Sequence, residues 1–368
     1  MSATVTSTVE VQAPRLTSIV PTDLKIGGNV DGTPKATDGE GQTADWLHDF
    51  HTQGYAIIKS AITPEQAEEY RSRTWSHLEN FPSLSNASSS SPSAAPPAFK
   101  ISEPETWTAN NLPFQSKINT FSSYCIPHER FVWDLRLEPS IIAPFATLWQ
   151  TPELLVSFDA LNVTLPNRRD KPVNSAWPHV DQSPFRSGLI CAQGLVNLNT
   201  AGPHDGGLVV FPGSHKLVSE FFETQTDKAN WSQRDLYLFT ESELEWFAER
   251  DVKPVKLCAD PGDLIIWDSR TIHWGAEPEP EKSDVVRTVV YVSYAPAAAA
   301  DAATIEARKQ CFEKWQATTH WANRNIIGRD GKVVLQESQV EDPRNRSEPV
   351  EKPVLGEKGM KLVGLMPY

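Results

Sequence analysis

The sequence predicts a mainly β chain with flanking helices, built on an antiparallel sandwich or jelly roll. Three observations predict it. Between residues 154 and 294, runs rich in β-branched and aromatic residues recur at short intervals. Each run is bounded by a turn cluster, such as Thr-Ala-Gly-Pro-His-Asp-Gly-Gly at 200–207 or Asp-Pro-Gly-Asp at 260–263; strands of that length and spacing belong to all-β architectures. Helical spacing appears on either side of this region and within one insert. At 368 residues, 39% hydrophobic and 22% charged, the chain has the composition of an ordinary globular protein with a sizeable core.

The elements follow in order. Residues 1–42 are rich in Thr, Gly, Asp and Pro with little periodicity, and read as a flexible N-terminal arm. Residues 43–51 form a short helix stopped by Gly54, and 55–60 form a strand. Thr63, Pro64 and Gln66 then supply an N-cap, a first helical residue and a capping box for a helix to about Asn80. Residues 82–98 are a Ser/Ala/Pro-rich, low-complexity loop. Residues 129–149 carry apolar positions at helical spacing, one or two helices packed on a sheet. One long strand is expected over 154–165, another over 188–199, and 216–250 reads as a polar helical insertion. A final helix is expected over 297–323. The folded domain thus spans 43–325, followed by a C-terminal extension over 326–368 with a hairpin around Asp330-Gly331.

Composition excludes several function classes. A net charge of −13 argues against broad nucleic-acid or anionic-membrane binding, which want basic patches. No run of about 18 apolar residues offers a membrane span, and the N-terminus lacks a secretory core. Cys125, Cys191, Cys258 and Cys311 are scattered without CxxC spacing, as in a reducing compartment; a cytoplasmic location is the expectation. No P-loop, dinucleotide fingerprint or nucleophile elbow is present. The sequence leaves the oligomeric state open.

The chemistry concentrates at Ala176-Trp-Pro-His-Val-Asp-Gln-Ser-Pro-Phe-Arg186. His179 and Asp181 are two apart, so on a strand they share a face and could aim at one metal ion. Among nine histidines such a pair arises by chance, and a strand His bonded to a neighbour is the plainer alternative. A second stretch, residues 262–274, reads Gly-Asp-Leu-Ile-Ile-Trp-Asp-Ser-Arg-Thr-Ile-His-Trp and places His273 beyond a short apolar strand and a turn. Residues 284–294 form a strong strand on which Arg287, Val289, Tyr291 and Ser293 share one face. A charge in such a strand is rarely buried without a partner.

Together, His179-x-Asp181, the distant His273 and Arg287 resemble the Fe(II)/2-oxoglutarate oxygenases. Gly206-Gly-Leu-Val-Val-Phe-Pro-Gly-Ser-His215 and the 262–273 stretch narrow the resemblance to the phytanoyl-CoA dioxygenase family. It covers roughly residues 45–300. One departure is the acidic, Pro-containing insert 277–284, which lengthens the connection between His273 and Arg287. The resemblance implies a double-stranded β-helix (jelly-roll) core, with Fe(II) on His179, Asp181 and His273. It also implies 2-oxoglutarate as co-substrate with its far carboxylate on Arg287, O₂ as oxidant, and a small-molecule substrate. Related halogenases carry a small residue at the Asp181 position, so a carboxylate there points to hydroxylation, desaturation or ring closure; chloride incorporated into product would contradict this.

The remaining candidates carry two readings each. Asn162, Asn197 and Ser293 either bond the co-substrate or are satisfied sheet residues. Trp177, Gln182 and Phe185 either line a substrate pocket or belong to the core and its turns. Arg287 itself could be a structural ion pair. His204 and His215 read as solvent-facing turn residues, and His320 falls outside the strand pattern. The substrate expected is a small metabolite, an amino acid or natural-product intermediate. Two other classes stand beside this: a cupin-like iron dioxygenase without a keto acid, against which Arg287 argues, and a jelly-roll metal-binding protein without turnover.

Overall fold

The structure is a computed structural model that describes residues 25–27, 42–84, 98–329, 331–335 and 339–368. Most of the expected N-terminal arm and the interior of the 82–98 loop lie outside the described residues. In chain order, β1 (Lys25–Gly27) precedes α1 (Gln42–Gln53), β2 (Tyr55–Ile58) and α2 (Pro64–Glu79). The expected capping box opens α2: Gln66 N–H donates to Thr63 Oγ1 at 3.2 Å and Thr63 N–H to Gln66 Oε1 at 2.9 Å. Gly54 ends α1 at φ +83°, and a Cβ there would sit 2.4 Å from Thr271 Oγ1; only glycine fits both the left-handed turn and the close approach.

After β3 (Thr120–Phe121), the 129–149 segment forms two helices, α3 (Arg130–Arg136) and α4 (Pro139–Trp149). Pro139 cannot continue α3 and instead opens α4. The single strand expected over 154–165 is two, β4 (Leu154–Val156) and β5 (Leu161–Thr164). The interruption has a physical cause. Asp159 O accepts from Arg136 Nη2 (2.6 Å), while Phe158 exchanges bonds with Thr318, donating N–H to Oγ1 (3.0 Å) and accepting N–H at its carbonyl (2.9 Å). These backbone groups are therefore bonded outside any ladder.

The core strands follow: β6 (His179–Val180), β7 (Ala192–Asn197), β8 (Gly207–Val210), β9 (Tyr237–Leu238), β10 (Val255–Leu257), β11 (Leu264–Asp268), β12 (His273–Ala276), β13 (Arg287–Val292) and β14 (Tyr294–Pro296). Among the described residues the strands build two six-stranded sheets, β1-β10-β8-β12-β6-β9 and β2-β11-β7-β13-β5-β3, while β14 pairs with β4 in a separate two-stranded sheet. Pairing is antiparallel apart from β1 on β10. From β5 to β8 and again from β10 to β13 the chain alternates between the sheets, as a jelly roll does. Leu195, Ile265, Trp267 and Val289 of the second sheet meet Leu208, Val210 and Leu257 of the first. The alternate residues face outward: Val196, Leu264, Ile266 and Val290 pack against the N-terminal helices, and Val180, Val209 and Trp274 pack against the insert.

The insert differs from its polar, helical expectation. It holds α5 (Ser214–Gln225) and α6 (Glu241–Ala248), but β9 lies between them and extends the first sheet by pairing with β6. Its inner face is an aromatic cluster, with Phe221 5.5 Å from Phe239 and 5.1 Å from Phe247. The expected 297–323 helix is shorter, α7 (Ala302–Glu313), capped by Asp301 accepting from Thr304 N–H at 2.7 Å. Residues 314–329 are irregular because their backbone groups are bonded elsewhere, Thr318 to Phe158 and Arg329 to Ala317. The hairpin lies slightly later than expected, β15 (Val334–Leu335) against β16 (Val340–Glu341). A last helix, α8 (Gly356–Val363), has no counterpart in the sequence reading.

The C-terminal extension is fastened by buried guanidiniums. Arg308 donates to the carbonyls of Val156, Ala322, Leu362 and Val363 at 2.6–3.0 Å. Arg344 pairs with Asp342 at 2.8 Å and reaches the carbonyl of Leu112 at 2.9 Å. Arg344→Ala should lower unfolding free energy by about 3–5 kcal/mol, the cost of orphaning a buried charge, in chemical denaturation. The exposed pair Lys352–Glu348 should contribute under about 1 kcal/mol when broken by Lys352→Ala.

Candidate metal centre

Strand register brings the site together. His273 on β12 is the direct cross-strand partner of His179 on β6, which sets the two rings 4.3 Å apart. Asp181 follows the two-residue strand β6, its N–H bonded to Ser269 O at 2.9 Å. Its Oδ2 lies 3.5 Å from His179 Nε2 and 3.3 Å from His273 Nε2. All three donor atoms lie within 4.8 Å of one another. Donors about 2.1 Å from a shared ion and at right angles around it stand about 3 Å apart, so the spacing suits one divalent cation.

The hydrogen bonds fix which ring nitrogen faces that point. His179 Nδ1 is 3.0 Å from Trp177 O and His273 Nδ1 is 2.9 Å from Thr271 O. A carbonyl only accepts, so each Nδ1 carries a proton, and in the neutral ring it is Nε2 that then offers a lone pair. Trp267 donates its indole N–H toward His273 Nε2 at 3.2 Å, consistent with that tautomer. Gln193 on β7 donates to Asp181 Oδ2 at 2.8 Å and orients the carboxylate. Burial pushes the Asp181 carboxyl up, but the imidazoles of His320, His179 and His273 outweigh it and hold it well below the usual carboxylate range. Two imidazoles turned Nε2-first and one carboxylate on one side of a cavity form the 2-His-1-carboxylate donor set that suits Fe(II) and leaves further positions open.

The cavity around them has a volume of about 580 Å³ and is also lined by Arg287, Asn162, Tyr291 and Trp177. Arg287 is 4% exposed and donates Nη1 to Asn162 Oδ1 at 3.1 Å. Asn162 is held in turn by Thr164 Oγ1 (2.9 Å) and by its own amide on Ile118 O (2.7 Å). Burial raises the Tyr291 hydroxyl's pKa, opposed by the neighbouring Arg287 charge. Among the described residues no carboxylate lies within ion-pair distance of Arg287. Trp177 stacks on His179, with ring centroids 4.1 Å apart and planes 8° from parallel.

The other sequence candidates fall outside the cavity. Asn197 faces inward but at the far end of β7, its amide donating to Asp260 O (3.1 Å) and to Asn199 O. Ser293 lies past the end of β13 and donates to Ala192 O at 2.7 Å. Gln182 clamps its own turn, accepting from Ser269 Oγ (2.9 Å) and donating to Gly188 O (3.2 Å). Phe185 is 51% exposed and packs edge-on against Trp231. His215 is not solvent-facing; it is a buried residue of α5, its Nε2 3.2 Å from His51 O. His204 is exposed beside Glu279. The sequence reading passed over Gln193, Trp267 and Tyr291, polar-tipped residues on inward strand faces, and His320, Arg234, Asp235 and Asn325, which reach the cavity from irregular segments.

The family model described as phytanoyl-CoA dioxygenase matches residues 50–278. "Ava biosynthesis cluster protein O" of Aspergillus versicolor is 36% identical over 300 residues, covering 80% of this chain and 90% of that one. Among solved structures, the epimerase SnoN in complex with Fe3+, alpha ketoglutarate and nogalamycin RO is 16% identical, with a TM-score of 0.47 over 69% of this chain and 84% of that one. EctD from S. alaskensis is 14% identical, with a TM-score of 0.45 over 75% and 85%.

Gln193→Leu should weaken Mn(II) or Fe(II) binding about 10–100-fold, the usual cost of losing a group that orients a ligand. Asn197→Ala should leave it unchanged; calorimetric metal titration of the two variants distinguishes them.

Proposed function

Because the chain belongs to the phytanoyl-CoA dioxygenase family, an Fe(II)- and 2-oxoglutarate-dependent oxygenase family, we propose that it oxidises an unactivated C–H bond of a small metabolite. The outcome is hydroxylation, desaturation or ring closure, with release of succinate and CO₂. The observation that carries this is the convergence of two imidazoles and one carboxylate in a cavity that also holds a buried guanidinium with no acid partner among the described residues.

When bound, iron and 2-oxoglutarate supply the oxidising chemistry from O₂; the chain supplies position. His179, Asp181 and His273 hold the metal on one side. Arg287 takes the far carboxylate of 2-oxoglutarate, since a planar guanidinium makes a two-bond fit. Asn162 keeps that guanidinium in place, and Gly206 leaves room beside it, where a Cβ would lie 3.2 Å from Arg287 Cδ. The lack of a paired acid supports this role over a structural ion pair, and a dedicated anion receptor argues against a dioxygenase that needs no keto acid. The substrate we favour is a natural-product intermediate or amino acid. We place the protein in the cytoplasm: its four cysteines are all unpaired, and among the described residues no helix is long and apolar enough to cross a membrane.

Two measurements test this. With Fe(II), ascorbate and 2-oxoglutarate, purified protein should release succinate above a metal-free control, and more when a true substrate is added from a panel of amino acids, acyl thioesters and terpenoid or peptide intermediates; oxidation of a panel compound without any keto acid would contradict the reading. Arg287→Ala should raise the half-saturating 2-oxoglutarate concentration about 10–100-fold, the worth of a charged hydrogen-bonded contact, and an unchanged value would remove Arg287 from the site.

A further inference from the structure

The metal strand is too short to hold its own carboxylate ligand. β6 ends at Val180, so Asp181 lies beyond the last ladder pair, and its backbone is fixed by bonds made outside the sheet. One bond goes to the corner that delivers His273: Asp181 N–H donates to Ser269 O at 2.9 Å. Two residues further on, the chain is bonded to the insert. Ser183, 1% exposed, donates its N–H to Asp235 Oδ1 at 2.9 Å and its hydroxyl to Ser232 O at 2.7 Å. The turn that follows the ligand is therefore clamped from two sides, and one of the clamps is a carboxylate.

Asp235 carries more than that bond. Its side chain is 8% exposed and takes donors from two further residues. Oδ1 also accepts from Arg186 Nε at 2.7 Å, and Oδ2 accepts from Arg186 Nη2 at 3.2 Å and from Asn325. Bonds to an ionised acceptor are the strong class. Ser183 and Arg186 belong to the turn behind Asp181, Asp235 to the insert, and Asn325 to the irregular 314–329 stretch. Arg234 and Leu236, the neighbours of Asp235 in the chain, line the cavity, as does Asn325. One carboxylate thus fastens the outer wall of the cavity and the turn that carries a metal ligand. The other acids that line the cavity do not. Glu277 accepts from Asn119 and Asn174, and Asp159 from Ala160 N–H, so none of these partners belongs to the 181–186 turn.

We propose that Asp235 is a positioning residue for the metal centre: it anchors the turn behind Asp181 and so aims that carboxylate at the ion, and it holds the outer wall of the cavity to the same point. A ligand set keeps its geometry to about 0.5 Å through the groups packed and bonded behind it, and losing such a group weakens metal binding by about 10–100-fold. This rests on the metal-centre reading above, and its test is separable from that reading.

The test titrates the full chain with Mn(II) by calorimetry, at a temperature where every variant is folded. The Mn(II)-loaded proteins are then compared by electron paramagnetic resonance, whose zero-field splitting reports ligand geometry and is blind to a loss of stability alone. Asp235→Ala should weaken Mn(II) binding about tenfold and change the splitting. Asp235→Asn, whose amide oxygen can still accept from Ser183 N–H, should recover most of the affinity. Asn325→Ala removes a wall bond and keeps the Ser183 bond, so its affinity and spectrum should match the wild type. Asp235→Ser, whose hydroxyl is too short to reach Ser183, replaces the alanine variant should that melt below the measuring temperature, with the same outcomes. Wild-type affinity and splitting after deletion of the carboxylate, or an equal loss in Asn325→Ala, overturns the proposal. A wild type that binds no Mn(II) would instead overturn the metal-centre reading, whatever the variants do.

Discussion

The molecule depends on one cross-strand contact, the pairing of His273 with His179 between β12 and β6. Each lies on a short strand in the first sheet, and each is delivered there by a corner. For β12 the corner is the 268–271 turn, where Arg270 closes on Asp268 at 2.6 Å and Thr271 Oγ1 donates to Gly54 O at 2.8 Å. A slip of one residue in that pairing would send one imidazole to the outer aromatic face and Val180 or Trp274 to the inner one. The outer faces resist such a slip, because Val180, Val209 and Trp274 are sealed under the insert's cluster of phenylalanines. The apolar packing of one face thus fixes the chemistry of the other.

The second sheet supplies the complementary half. Its inward residues, Gln193 on β7, Asn162 on β5 and Arg287 and Tyr291 on β13, line the cavity opposite the metal ligands, with Gln193 donating to the Asp181 carboxylate and Arg287 to Asn162. On the outward faces of the same strands, Val163, Val196 and Val290 pack in the apolar core under the helices. Arg308 shows that a buried guanidinium without an acid can be satisfied by carbonyls, whereas Arg287 makes one hydrogen bond, to Asn162, which supports the anion contact proposed for it. The insert and the 319–329 segment close the remaining side, joined through Asp235 and Arg186, and so make the cavity a property of the whole chain rather than of the sheets alone.

Much of this is legible in the sequence because metal and anion binding require particular residue types at short or strand-compatible spacing. His179, Asp181, His273 and Arg287 could be named before any coordinates, and the capping box of α2 and the strand positions followed from local chemistry. The errors have a common cause. Alternation tells which face a strand residue presents but not how far along the strand the site lies, which is why Asn197 and Ser293 share the right face and still miss the cavity. Gln182 was readable as polar and near the metal strand, but its role in holding the 182–188 turn depends on Ser269. The break between β4 and β5 and the end of α7 both come from the bond between Phe158 and Thr318, some 160 residues apart. His320 is invisible for the same reason, since an irregular segment carries no periodicity and its approach to the site is set by tertiary contacts.

The central claim is that a single ion sits where three side chains from two strands and a turn converge. The most direct test is anomalous scattering at the iron edge from crystals grown anaerobically with Fe(II). The account requires one strong peak within about 2.0–2.3 Å of His179 Nε2, His273 Nε2 and an Asp181 carboxylate oxygen. A peak that lacks any one of those three ligands, or iron held by His320 or His215 instead, would contradict it.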